Sequence, residues 1–453
     1  MSTPIQPLAV LNVVGLSGSL LAHAPNLRRL AEQTTITRLR PVLPAVTCSV
    51  QSSMLTGKPV DGADGHGVVG NGWFNDEQQE IQFWKQSNRL VQAECVWDTA
   101  RRIAEQRGQR FTCANLFWWF NMASSVNLAV TPRPQYRADG RKVPDIWTRP
   151  SELRDALQNQ LGRFPLFNFW GPGSNLKSSR WIADAARQVA EQHDPTLTLI
   201  YLPHLDYGLQ KLGPHHPDIP QHVAEIDAIV GELIEFFQAR GRRVIALSEY
   251  GIEAVDTPIA VNRRLRKAGL LAVRDEAGRE LLDPVASQAF AVADHQVAHV
   301  YHQPEVKLPP IPRCTPTTLD HPRAGQTVLV ADAGAWFTYD YWPEDQPEKA
   351  PDFARTVDIH RKPGYDPREL FLGVRKTSLA WKIAKRKLGV RGLFDVIPLD
   401  PNLVKGSHGR TDTPQELRPV ILGDHDLSAD EACCSKVRDA MLRAMFGHDA
   451  AQT

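Results

Sequence analysis

The chain has 453 residues, 42% of them hydrophobic, and its 52 basic and 51 acidic side chains give a formal net charge of +1. That length suits two or three domains or one elaborated α/β domain, and the even charge balance argues against a nucleic acid polymer as partner. The six cysteines (Cys48, Cys95, Cys113, Cys314, Cys433 and Cys434) lack metal-ligand spacing, a pattern that fits a reducing compartment better than a disulfide framework.

The opening "MSTPIQPLAVLNVVGLSG" has no basic leader, and its apolar run from Leu8 to Leu16 is too short to cross a bilayer. It predicts a buried first strand in a cytoplasmic protein. Pro25 then starts a helix with Leu27, Leu30 and Ala31 on one face. In "VLPAVTCSVQSSMLTG", Thr47 follows an extended apolar run and opens a helix; its hydroxyl reads equally as an N-cap or as a nucleophile. "FTCANLFWWFNMASS" is unusually aromatic, either a strand with a packed aromatic end or a wall that stacks a base or an apolar leaving group. "FNFWGPGSN" adds Trp170 beside a Gly-Pro turn that could form a pocket lip.

Two helix–strand pairs follow. Ile182, Ala185 and Val189 stripe a helix that leads into "TLTLIYLP" and Asp206; Ile226, Ile229, Val230, Leu233 and Phe237 stripe another that leads through "RVIALS" to Glu249. Strands that are apolar without alternation imply a mostly parallel sheet covered by helices on both faces. Open sheets of this kind bind ligands at the carboxyl ends of their strands, where Thr47, Asp206 and Glu249 fall. A carboxylate there also serves to cap the following helix, so each residue has a structural alternative.

Residues 1–251 thus read as the first part of the core. Residues 252–325, with a short basic helix and the strands "QAFAVAD" and "VAHVYH", read as an insertion or small subdomain. Residues 326–445 are the expected return to the core, and 446–453 a frayed tail. Within the return, residues 375–391 form a basic amphipathic helix around Trp381, either a solvated helix packed on the domain or a weak contact with an anionic membrane surface.

Taken in order, the first strand, "APNLRRLAEQ", the Thr47 segment ending in "LTG", "GHGVVGNGWFND", "DYGLQKLGP", "SEYG" and "KGSHG" resemble the alkaline phosphatase-like superfamily, in its branch of type I phosphodiesterases and nucleotide pyrophosphatases. The resemblance implies a metal-dependent hydrolase of phosphodiester or phosphoanhydride bonds acting on a small phosphate-containing substrate. It makes Thr47 the nucleophile between two divalent ions, usually zinc, one activating the attack and the other the leaving oxygen. Asn71 matches the residue that holds a phosphoryl oxygen, Asp206 and His408 match metal-ligand positions, and Glu249 stands as a lengthened carboxylate where the resemblance expects a ligating aspartate.

Other family ligands are replaced. Gln210 stands where a histidine is expected, Tyr250 where another is, and Val14 where the first strand should supply an aspartate. Gln is a poor zinc ligand beside imidazole, and Tyr ligates only as a phenolate, with a reference pKa near ~10. Asn12 would substitute for Val14 only if the alignment slips. Three readings follow. New ligands come from His204, from Asp294, His295 and His299, or from Asp358 and His360; or one harder ion, manganese or magnesium, binds oxygen-rich ligands; or the protein binds a phosphate-containing ligand without turnover.

Overall fold

The computed structural model describes residues 3–427 and 430–448. Its main sheet has nine strands. At its centre Arg243–Leu247, Leu8–Val13, Leu197–Leu202, Cys113–Leu116 and Leu128–Pro132 run parallel in that order. Every residue of Leu8–Val13 and Leu197–Leu202 is buried. Because successive side chains on a strand point to opposite faces, both faces of the sheet centre are covered. The helices Leu176–His193 and Ile219–Gln238 supply much of that cover, with the striped residues packed in the same core. The fold is the mixed α/β one, a sheet with a parallel centre covered by helices, that the sequence predicts.

Long-range hydrogen bonds tie these elements together. The helix Pro25–Gln33 has no side-chain cap of its own. Its first-turn amides at Asn26 and Leu27 donate instead to the Asp227 carboxylate, each at 2.9 Å, from the middle of the helix Ile219–Gln238. The sheet is completed on one side by Val420–Gly423, which lies antiparallel between Arg243–Leu247 and Thr35–Arg40.

A smaller antiparallel sheet is built from Ala289–Asp294, Val297–His302, Thr327–Ala331 and Cys314–Thr317. It has its own apolar cluster, which extends through Tyr339, Trp342 and Phe353 to Tyr365. The strand at 327 therefore belongs to this sheet, and the chain rejoins the nine-stranded sheet only at Val420, well beyond the return expected at 326. Composition does not mark that boundary, because both sheets use the same β-branched residues. Of the expected tail, Phe446 closes the helix Val437–Phe446 and is buried, while residues 449–453 lie outside the described residues.

Candidate functional site

Thr47 is the first residue of a ten-residue helix, Thr47–Thr56, that is buried along its whole length. The preceding residue, Val46, is the extended N-cap and contributes no side-chain cap, so the Thr47 hydroxyl is not spent on capping. The helix can be buried because its other hydroxyls are satisfied: Ser49 Oγ donates to Pro44 O, Ser52 Oγ to Cys48 O and Thr56 Oγ1 to Ser52 O, while Ser53 Oγ lies 2.8 Å from His66 Nε2. Thr47 Oγ1 instead lies 3.1 Å from the Tyr250 hydroxyl.

Two buried carboxyl groups stand beside it. Asp206 sits in the first turn of the helix His204–Leu212, after the strand Leu197–Leu202. Its Oδ2 accepts from Gln210 Nε2 at 2.8 Å and its Oδ1 from the Tyr250 hydroxyl at 3.4 Å. Glu249 follows Arg243–Leu247, and its Oε1 accepts two amide bonds of 2.6 Å, from Asn12 Nδ2 and Gln51 Nε2. Its Oε2 is buried without a partner. Burial pushes the pKa of Asp206 up to about 7 and that of Glu249 up to about 8. Val14 is fully buried in the apolar core, and it is Asn12 whose side chain reaches Glu249.

The third side comes from the smaller sheet and a late loop. The turn after Ala289–Asp294 puts His295 at φ 59°, a left-handed conformation costly for a residue with a Cβ. That strained turn presents the His295 ring to the site, 3.6 Å from the Tyr365 ring and 3.8 Å from that of His408. His295 Nδ1 is 2.8 Å from Asp294 Oδ1. Asp294 also accepts from the Asn71 backbone N–H at 2.8 Å and from Asn71 Nδ2 at 3.0 Å. The Asn71 Oδ1 accepts the N–H of Cys48 at 2.9 Å, so Asn71 is held against the backbone amide next to Thr47. His408 Nδ1 donates to Ala45 O at 2.8 Å, leaving Nε2 as a buried, unpartnered acceptor. Burial holds both imidazoles well below their ordinary pKa and therefore neutral.

The remaining sequence candidates lie elsewhere. His299 is satisfied by backbone groups outside the smaller sheet, donating from Nε2 to Val69 O and accepting at Nδ1 from Gly325 N–H. Asp358 and His360 line the same cavity, but their bonds run to other groups: His360 Nδ1 donates to Phe83 O, and Asp358 stands 3.9 Å from Lys142 Nζ. His204 turns to the neighbouring helix, against His222 and Glu225. Sequence reasoning missed Gln51, whose Oε1 also accepts the Trp119 backbone N–H, and Tyr365, whose hydroxyl donates to Gln210 Oε1. Gln51 lies one helical turn after Thr47 on the same face, which was the signal available for the first.

These residues do not fit a pair of zinc ions. Both ends of the Gln210 amide are engaged, with Nε2 donating to Asp206. The Tyr250 hydroxyl bridges Thr47 and Asp206, and burial raises its pKa further, so it stays a phenol rather than a ligand. Among the described residues, no three His, Cys, Asp or Glu side chains of this site come within reach of one ion. Hydrogen bonds take the places that the expected ligands would need.

The site opens into a cavity of about 1240 Å³. Thr47, Asp206, Tyr250 and His295 form one end of its lining, and Trp84, Trp119, Trp170 and Tyr365 contribute aromatic wall. The aromatic stretch thus divides its labour: Trp119 lines the cavity, while Phe117 packs on Phe164 in the core. The helix Lys376–Lys387 buries none of its residues, and its Leu379, Ile383 and Arg386 line another part of the cavity.

A family model described as type I phosphodiesterase / nucleotide pyrophosphatase matches residues 8–366. An uncharacterized pyrophosphatase/phosphodiesterase of Schizosaccharomyces pombe is 26% identical over 234 residues, which is 50% of this chain and 40% of that protein. Among solved structures, murine and human ectonucleotide pyrophosphatase / phosphodiesterase 5 superpose with a TM-score of 0.55 at 12% identity, covering 97% of this chain and 94% of theirs. An inactive form of the murine protein, in complex with AMP, superposes equally well.

Proposed function

We propose, from the premise that this chain belongs to the type I phosphodiesterase / nucleotide pyrophosphatase family, that it hydrolyses phosphodiester or phosphoanhydride bonds with Thr47 as the attacking group. The observation that carries this reading is a threonine hydroxyl free of capping duty at the end of a large cavity, joined by one phenol to a buried carboxyl group. A threonine hydroxyl is barely ionised at neutral pH and needs a proton acceptor to attack. Through the Tyr250 hydroxyl that acceptor is ionised Asp206: Thr47 passes its proton to Tyr250 as Tyr250 passes its own to Asp206. The Cys48 N–H and the Asn71 amide are placed to hold a phosphoryl oxygen once they release each other. The unpartnered His408 Nε2, an acceptor in the neutral ring, can take a hydrogen bond from the ligand or from a water. The AMP complex of the solved relative supports a nucleotide-sized phosphate ligand for this cavity.

A second reading, binding without turnover, is favoured by one observation: Gln210 and Tyr250 are hydrogen-bonded where family ligands are expected. The two readings separate on bis-p-nitrophenyl phosphate. Metal-stripped protein, alone and resupplied with zinc, manganese or magnesium, is assayed beside Thr47→Ala. Release of nitrophenol that is lost in the variant supports hydrolysis, and its metal dependence shows whether a single ion is recruited. Background rates for both proteins, with AMP bound in calorimetry, support the binding role.

A further inference from the structure

His204 opens its helix immediately after the strand Leu197–Leu202, and it is buried. Its ring faces the helix Ile219–Gln238, where His222 and Glu225 are spaced by three residues and so share a face. His204 Nε2 is 3.4 Å from His222 Nδ1 and 3.3 Å from Glu225 Oε2, and one ligand atom from each of the three residues lies within 4.8 Å of the others.

These separations are long for hydrogen bonds. They match the edge of a tetrahedron around an ion with bonds of ~2.0–2.1 Å, whose neighbouring ligand atoms lie about 3.3–3.4 Å apart. Gln221 Nε2 donates to the other Glu225 oxygen at 3.0 Å, which turns Oε2 toward the imidazoles. Gly208 makes room for the His222 ring, since a Cβ at that position would come within 3.2 Å of it. His204 Nδ1 has no partner and is where the ring proton resides when Nε2 ligates.

We propose that His204, His222 and Glu225 bind one divalent transition ion of the zinc class, with two imidazoles and a carboxylate as ligands and a fourth position open to water. His222 and Glu225 are only half-buried, so the fourth position faces solvent. The ion pins the start of the helix that carries Asp206 and Gln210 to the long helix beside it. It is a structural clamp outside the phosphoryl site, and it stands whether or not Thr47 attacks phosphorus.

Metal-free full-length protein is titrated with Zn²⁺ by calorimetry and with Co²⁺ by visible absorption, beside His222→Ala, Glu225→Gln and His408→Ala. The expected result is one equivalent bound with tetrahedral cobalt bands. Affinity falls at least about tenfold in the first two variants and is kept in the third. Circular dichroism of the metal-free variants separates loss of the ion from loss of the fold, and two independent substitutions guard against either one misfolding. The proposal is overturned by no zinc uptake in the wild type, by uptake that survives both His222→Ala and Glu225→Gln, or by uptake that disappears in His408→Ala alone.

Discussion

The ring of Tyr250 lies flat on the imidazole of His408, with centroids 3.5 Å apart and planes within 6° of parallel. The stack fixes the direction of the phenol and so places its hydroxyl between Thr47 and Asp206. A hydroxyl in that position links Thr47 to a carboxyl group through two hydrogen bonds.

Tyr250→Phe keeps the stack and removes the link. We expect unchanged folding by circular dichroism and a fall in kcat of about 10²–10⁴-fold, the usual contribution of general-base assistance. An unaltered kcat would show that Tyr250 only packs.

Restoring both missing imidazoles should rebuild a zinc site. In a His222→Ala background, which removes the proposed clamp, Gln210→His combined with Tyr250→His is expected to gain zinc uptake that depends on Asp206 and His408. Equilibrium dialysis followed by elemental analysis measures it. No gain would mean that more than the two replaced imidazoles keeps an ion from Asp206 and His408.

The buried acids make stability depend on pH. The pKa values of Asp206 and Glu249 rise on folding from 3.8 and 4.5 to about 7 and about 8. Their neutral forms therefore favour the folded state. That contribution is complete below about pH 4 and is lost as pH rises through about 7 and about 8. Glu249→Gln is permanently neutral, so urea unfolding from pH 5 to 8 should show the wild type losing up to ~1.4 kcal/mol per pH unit relative to the variant. Parallel profiles would place the proton elsewhere. Asp206 must ionise to accept a proton, so activity should rise with pH through about 7.

Arg368 is fully buried and pairs with Asp340 at 2.7 Å and Asp366 at 2.6 Å. The same short turn carries Glu369, which accepts from Trp170 Nε1 at 2.5 Å and pairs with Lys362. Arg368→Met leaves two buried carboxylates short of a partner and should cost about 3–5 kcal/mol in chemical denaturation. In protein that remains folded, Trp170 should become more accessible to acrylamide quenching.

The parallel centre of the fold was legible because strands buried on both faces must be apolar throughout, and their covering helices must carry a stripe. Thr47, Asp206 and Glu249 followed from that order, since strand ends converge at one edge of such a sheet. The partners that decide the chemistry were not legible. Gln51 and Tyr365 reach their partners across sequence separations of 198 and 155 residues, and Asn12, named only as a slipped alternative to Val14, reaches Glu249 across 237; amides and phenols carry no spacing rule of the kind that metal ligands do. His295 stood in a quoted cluster, but only the folded hairpin separates it from His299, four residues away and committed to backbone bonds.

The cavity wall has a consequence for how such a protein diversifies. Lys142 Nζ donates to Val357 O and Arg386 Nη2 to Gly140 O, so distant surface segments are latched together around the cavity. Those segments contribute nothing to the group around Thr47. Replacements at Leu379, Ile383 or Leu393 therefore reshape the cavity wall without touching the group around Thr47.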